Sequence, residues 1–297
     1  MSMGSQGRLA IDTVLPFDGS SLPLEFDTEN LAKTGTIIDT AGIRGTRSHQ
    51  QERTRTGNYS VAGTIEMFPA PAELNNVLEW IMGGAPTVGT PVGSTTFPLA
   101  ETIPTREVLI DRVARRFEYA ACKVNRATFS SREGEALKLA LDLVGTTELV
   151  TATAFPTLTY ALEAPFVFMD AVLTLQSATR NMKDVTIIID NVLDVAFNNS
   201  TTASTIVASD RIISLSCLNP FVAADIALYD QALAGATASV IFTNGNFKLT
   251  FTFGGRLQFP AESPAVAGKG EIPLRLNGIA RKNGTTDELS IVLDLTG

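Results

Sequence analysis

Phe247-Lys248-Leu249-Thr250-Phe251-Thr252-Phe253 sets four apolar side chains on one side of an extended chain and Lys or Thr on the other. A period of two marks a strand with one covered and one open face. Outward from it, Val, Ile, Thr and Phe alternate with polar residues between Gly, Asn and Asp, which predicts strands over 58–68, 116–130, 135–149, 184–197, 211–218, 271–280 and 288–295. Arg132-Glu133-Gly134-Glu135 and Lys282-Asn283-Gly284 read as turns between consecutive strands, since Gly and Asn tolerate the positive φ that such turns demand. The chain is mainly β, of the α+β kind, with hairpins as its usual connection.

Two helices interrupt the pattern. In the first, Pro71 opens, Leu74, Val77, Leu78 and Ile81 form one apolar stripe, and Gly83-Gly84 supplies the left-handed stop. In the second, Asn219 caps, Pro220 opens, Val222, Ile226, Tyr229 and Leu233 form the stripe, and Gly235 ends it. Each has one apolar side to lay on a sheet.

These punctuation marks repeat. Thr36-Ile37-Ile38-Asp39 and Ile187-Ile188-Ile189-Asp190, Pro69 and Pro220, and Gly84-Ala85 and Gly235-Ala236 all lie 151 residues apart, while the helix stripes fit better at 152. Gly134-Glu135 and Gly270-Glu271 lie 136 apart, so the first half holds extra residues, assigned to a Gly-, Pro- and Thr-rich loop or hairpin at 86–104. The reading is a divergent tandem duplication. It divides the chain into an arm at 1–33, a first domain at 34–150, a linker and connecting strand at 151–183, and a second domain at 184–297. Residues 1–33 read equally as an arm to a neighbour or as a flexible end.

Composition removes most chemistry. The 297 residues are 44% hydrophobic and 18% charged with net charge −8, so the basic field that grips nucleic acid through its phosphates is absent. One histidine, His49, and two cysteines, Cys122 and Cys217, leave too few groups for a zinc site, a Ser-His-acid triad or a disulfide framework. No catalytic, cofactor-binding or metal-binding residue is assigned. Both cysteines are expected reduced, as small buried apolar side chains. Trp80 is expected in the core. No apolar run reaches the roughly 18 to 20 residues of a membrane-spanning helix, and MSMGSQGRLA lacks the order of a secretory signal, so synthesis in the cytoplasm is expected.

The run Gly42-Ile43-Arg44-Gly45-Thr46-Arg47 through Glu52-Arg53-Thr54-Arg55-Thr56-Gly57, then Val61-Ala62-Gly63-Thr64-Ile65 and Pro69 leading into Glu73-Leu74, resembles the tail tube proteins of long-tailed bacteriophages. The order Phe117-Glu118-Tyr119, Val124-Asn125-Arg126, Gly134-Glu135, Leu143-Val144-Gly145 and Thr147-Glu148, then Val185-Thr186-Ile187 and Asp190-Asn191, extends the resemblance over residues 34–297. The resemblance implies two tandem β-sandwich or barrel domains, each with one flanking α-helix, whose strands join a barrel lining a hollow tube. It implies a virion protein made in the host cytoplasm, built into rings of three duplicated chains that stack into the conduit for DNA ejection. The implied partners are the chain itself, a tape-measure protein and viral DNA in the lumen without sequence-specific binding, a tail terminator, and distal tail or baseplate proteins.

Residues 42–57 carry Arg44, Arg47, Glu52, Arg53 and Arg55 with few apolar anchors, so they read as a projecting loop that joins one ring to the next. Strands 135–149 and 271–280 are expected to turn alternate residues inward and give the lumen a negative bias. The alternative from another class is an adhesion or carbohydrate-binding β-sandwich, which expects exposed aromatics. A third, an enzyme, expects a titratable cluster that the sequence does not show.

Overall fold

The computed structural model describes residues 3–40, 42–43, 45–89, 93–222, 234–260, 264–266 and 268–296. The first half runs β1 (Arg8–Asp12), β2 (Leu22–Leu24), β3 (Thr28–Glu29), β4 (Ala32–Asp39), β5 (Thr54–Met67) and α1 (Pro71–Met82). It continues with β6 (Thr87–Val88), β7 (Ser94–Phe97), β8 (Arg106–Asp111), β9 (Arg116–Arg132), β10 (Lys138–Gly145) and β11 (Thr147–Thr151). The second half runs β12 (Ala171–Leu175), β13 (Ala178–Arg180), β14 (Asp184–Asp190), β15 (Leu193–Ala196) and β16 (Thr205–Ala208). It ends with β17 (Ile212–Pro220), β18 (Ala236–Asn244), β19 (Phe247–Gln258), β20 (Pro273–Arg281) and β21 (Ser290–Asp294).

One antiparallel sheet crosses both halves in the order β4–β5–β10–β9–β14–β17–β20. A sheet β2–β1–β8–β9–β11 packs over its first part, and a sheet β13–β12–β18–β19–β21–β7–β6 over its second. The long strands β9 and β19 belong to two sheets each and turn a corner to do so. In β9 the corner falls at Ala121, with φ 49. In β19 it falls at Gly254-Gly255, where a Cβ on Gly255 would meet the Arg281 carbonyl at 2.0 Å, so only glycine fits.

The pairings of the two halves follow one order. β1 with β2 and β8, β4 with β5, β5 with β10, and β9 with β8, β10 and β11 correspond to β12 with β13 and β18, β14 with β17, β17 with β20, and β19 with β18, β20 and β21. The stretch at 86–104 is a hairpin in the first half, β6–β7, and its second strand extends the second half's sheet by pairing with β21. Residues 1–33 contain β1, whose Leu9, Ala10 and Ile11 are buried, and residues 151–183 contain β12 and β13.

One core serves both halves. Phe129 of β9 meets Phe251 of β19 edge-on at 5.0 Å between ring centroids, and Phe251 meets Phe242 of β18 at 6.4 Å. α1 adds Leu74, Val77, Leu78, Trp80, Ile81 and Met82, all fully buried. Gly83 stops it at φ 84, with its N–H on the Glu79 carbonyl. The expected turn glycines Gly134 and Gly284 have φ of 84 and 61.

The second helix needs correction at its start. Asn219 and Pro220 lie in β17, paired with Leu274 and Pro273, because buried Asn219 continues the alternation of Ile213, Leu215 and Cys217. Pro220 sits at the ladder's end, where a missing donor costs little. Residues 223–233, the body of that helix, lie outside the described residues.

Candidate functional site

The sheet shared by the halves has its apolar face in the core and its other face open. Across the open face, one row of directly paired residues reads Thr64, Asp142, Arg126, Asp190 and Ile212. The next rows read Glu66, Ala140, Thr128, Ile188, Ser214 and Ile279, then Lys138, Ser130, Thr186, Ser216 and Asn277. The last reads Arg132, Asp184, Leu218 and Arg275. Charged side chains and small hydroxyl or methyl side chains share these rows about equally.

Those charges are matched locally. Lys138 Nζ lies 2.8 Å from Glu66 Oε2, Arg126 Nη2 2.5 Å from Asp190 Oδ2, and Arg275 Nη2 3.2 Å from Asp184 Oδ2. Thr64 Oγ1 donates to Asp142 Oδ1 at 2.6 Å. The hydrogen bonds from Lys138 and Thr28 hold Glu66 below the usual carboxylate range, and Asp190 pushes the Arg126 guanidinium up. The expected alternation in β10 and β20 is present, but the negative bias expected of their open residues is not carried by this face. Its carboxylates are compensated by Lys and Arg on neighbouring strands. Such a surface offers a polyanion neither a net attraction nor a large apolar contact.

The second feature is the β4–β5 hairpin. Every residue of β4 is exposed, and the hairpin tip carries Arg47, Glu52 and Arg53, with Arg55 the second residue of β5, all exposed. The expected loop at 42–57 is thus partly strand, since β5 begins at Thr54. Arg44 lies outside the described residues. Arg53 Nε reaches Thr40 Oγ1 at 3.4 Å, but Arg47, Arg53 and Arg55 form no ion pair with a described residue. His49 Nδ1 lies 2.5 Å from Asp39 Oδ2, an ordinary exposed loop contact.

The matching hairpin of the second half is held down. After Asn191, with Val192 at φ 40, β15 and β16 fold onto the first half. Leu193 N donates to Asn125 Oδ1 at 2.8 Å, Lys123 Nζ to the Ile206 carbonyl at 2.8 Å, and Tyr59 N to the Thr201 carbonyl at 2.9 Å. Buried Asn191 donates through Nδ2 to the Val124 and Ile81 carbonyls at 3.0 and 3.2 Å.

The remaining candidates have structural uses. Trp80 is fully buried and donates through Nε1 to the Cys122 carbonyl at 3.0 Å. Cys122 and Cys217 are free and buried, and desolvation pushes the Cys217 thiol up to about 12. Arg112 grips Glu29 with two bonds of 2.8 and 2.7 Å, while Arg8 and Arg116 meet Asp111 at 2.7 and 3.2 Å. A cavity of about 430 Å³ lies beside these pairs, lined by Phe26, Glu29, Asp111 and Arg112, whose charges are already engaged. Among the described residues no three His, Cys, Asp or Glu side chains gather as a metal site, and no helix is long and apolar enough to cross a membrane.

Sequence reasoning reached the arginine hairpin but missed the open-face pairs and Asn191. Arg126 and Asp190, Lys138 and Glu66, and Arg275 and Asp184 stand 64, 72 and 91 positions apart, so only the sheet order unites them. No curated protein matches the chain. The phage tail tube protein family matches it over residues 4–280. With nearly its whole length covered, the chain belongs to the phage tail tube protein family and is a structural protein of the virion tail.

Proposed function

We propose that copies of this chain assemble into rings that stack into the tail tube, the conduit through which viral DNA is ejected into the host cell. The observation that carries this reading is the sheet spanning both halves in one pairing order, with β4 at one end having β5 as its only long described partner. A sheet built of two like units, with open edges, suits repetition around an axis, and closing it removes those edges. On this reading the chain is a tandem duplication with units at 34–150 and 184–297, each preceded by a strand pair, β1–β2 or β12–β13, whose first strand joins the unit at β8 or β18. Three chains then supply six ring positions.

The open face would line the lumen. Its hydroxyls and compensated charges let DNA and a tape-measure protein pass without base-specific contact or adhesion. Tail terminator and distal tail or baseplate proteins would meet the ends of the stack. The β4–β5 hairpin, with Arg44, Arg47, Glu52, Arg53 and Arg55, would reach the neighbouring ring, since Arg47, Arg53 and Arg55 form no ion pair with a described residue. The test is the native mass of dissociated rings. Three chains per ring are expected, and six full-length chains would overturn the duplication.

A further inference from the structure

The geometry points to the outer edge of β11 as a docking site for an extended, basic segment of a second polypeptide of the virion tail. This goes beyond the tube reading and uses only the strand order and the family. The matching edge of the second half shows what such a site takes. In the pairing order, β11 beside β9 corresponds to β21 beside β19. The far edge of β21 is filled by β7, antiparallel from Phe97 opposite Ile291 to Ser94 opposite Asp294, with Phe97 fully buried and Leu295 N donating to the Gly93 carbonyl at 3.0 Å. The far edge of β11 has no described strand beside it. There β4 approaches through a side chain rather than a ladder, with Lys33 N donating to Glu148 Oε2 at 3.2 Å.

The chain has no second strand of this kind to lend. β7 belongs to the stretch at 86–104, inserted between α1 and β8, whereas in the second half Gly235 leads straight into β18 at Ala236. Each copy therefore spends its own hairpin on its own β21. The edge of β11 meanwhile leaves Leu149 58% and Val150 53% exposed. A strand edge with exposed apolar side chains and with neither proline nor lysine along it is one to which another strand is readily added.

Charge narrows the occupant. Leu149 stands opposite Glu118, and Glu118 opposite Leu109, so Leu149 and Glu118 share a face. Burial, and after it the charge of Glu107, pushes the Glu118 carboxyl up. Glu107 Oε1 accepts from Ala121 N at 3.1 Å, while its Oε2 is buried with no hydrogen-bond partner among the described residues. Arg116, two places along β9, is engaged by Asp111 and by the Ala152 and Thr153 carbonyls. Two half-buried carboxylates without a paired cation, beside an open apolar edge, fit a strand that brings Lys or Arg with it.

Photo-crosslinking within virions tests this, with Leu149→p-benzoylphenylalanine as the probe. At so exposed a site the variant should keep the wild-type melting curve. Irradiated tails should yield an adduct to a polypeptide other than this chain, at a stretch that contains Lys or Arg. Adducts only to another copy of the chain, or none, would overturn the docking site and leave the tube reading standing. Adding Glu118→Gln should cut the adduct yield roughly tenfold, and an unchanged yield would overturn the basic occupant. Hydrogen exchange on wild-type material gives a second arm. Amides of residues 147–151 should exchange on the order of 100-fold more slowly in tails isolated from virions than in the purified chain. Equal exchange in the two, or slow exchange already present in tubes assembled from the purified chain alone, would overturn the proposal.

Discussion

Trp80, the one tryptophan, joins α1 to β9 through both packing and its indole N–H. Trp80→Ala should cost about 3–5 kcal/mol in urea unfolding, because a fully buried aromatic leaves a cavity that a two-sheet core closes poorly. Asp111 makes a pH prediction. Its burial alone would raise its pKa, but hydrogen bonds from Arg8, Arg116 and the Val113 N–H outweigh that and hold it below the usual range. The folded value lies below the unfolded one, so this stabilisation is present above roughly pH 4 and is lost as pH falls through the folded value. Asp111→Asn should therefore destabilise the chain by about 1–3 kcal/mol at neutral pH and flatten the acid side of its stability profile. Melting temperatures over pH 3–7 check it.

At the scale of elements, the strands legible from the sequence are those with one wet face. β5, β9, β10, β14, β17, β19, β20 and β21 all overlap the alternating runs, and β10, β14 and β21 lie wholly inside them. β1 and β8 do not alternate, because Leu9-Ala10-Ile11 and Val108-Leu109-Ile110 are covered on both sides. Their second face meets Phe17 and Phe155 instead of water. Such runs carry no period to read. α1 was legible to the residue, since proline, stripe and glycine agreed. At Asn219-Pro220 the same punctuation misled, because it marks a strand's end as readily as a helix's start. The arginine hairpin was legible because charge without apolar anchors cannot be buried. The open face was not, because its ion pairs are made by sheet order rather than by spacing. Asn191 is where the two hairpins diverge. Asn191→Ala should cost about 1–3 kcal/mol by removing two buried hydrogen bonds, to the Val124 and Ile81 carbonyls. It should speed hydrogen exchange in β15 and β16 and at the Tyr59 amide, which Thr201 holds, while leaving β4 unchanged.

For the whole molecule, net charge −8 coexists with a cationic hairpin, so the acidic excess lies elsewhere on the surface. Single exposed ion pairs contribute only about 0–1 kcal/mol, but on the proposed stacking several per hairpin, repeated at every ring, would act together. Reversing Arg47, Arg53 and Arg55 to Glu should leave circular dichroism and melting nearly unchanged, since all three are exposed and form no ion pair with a described residue. Tube elongation should be lost, and long tubes from the triple variant in physiological salt would remove the hairpin from ring stacking.

The antiparallel seam between β9 and β14 has a kinetic meaning. Because both strands belong to one polypeptide, that joint forms at a local concentration set by the tether and is closed before any collision. On the proposed ring of three chains, assembly would be a meeting of three bodies rather than six, with two losses of translational freedom in place of five. Its nucleation would depend on concentration to a lower power, so tubes could begin while the chain is still scarce.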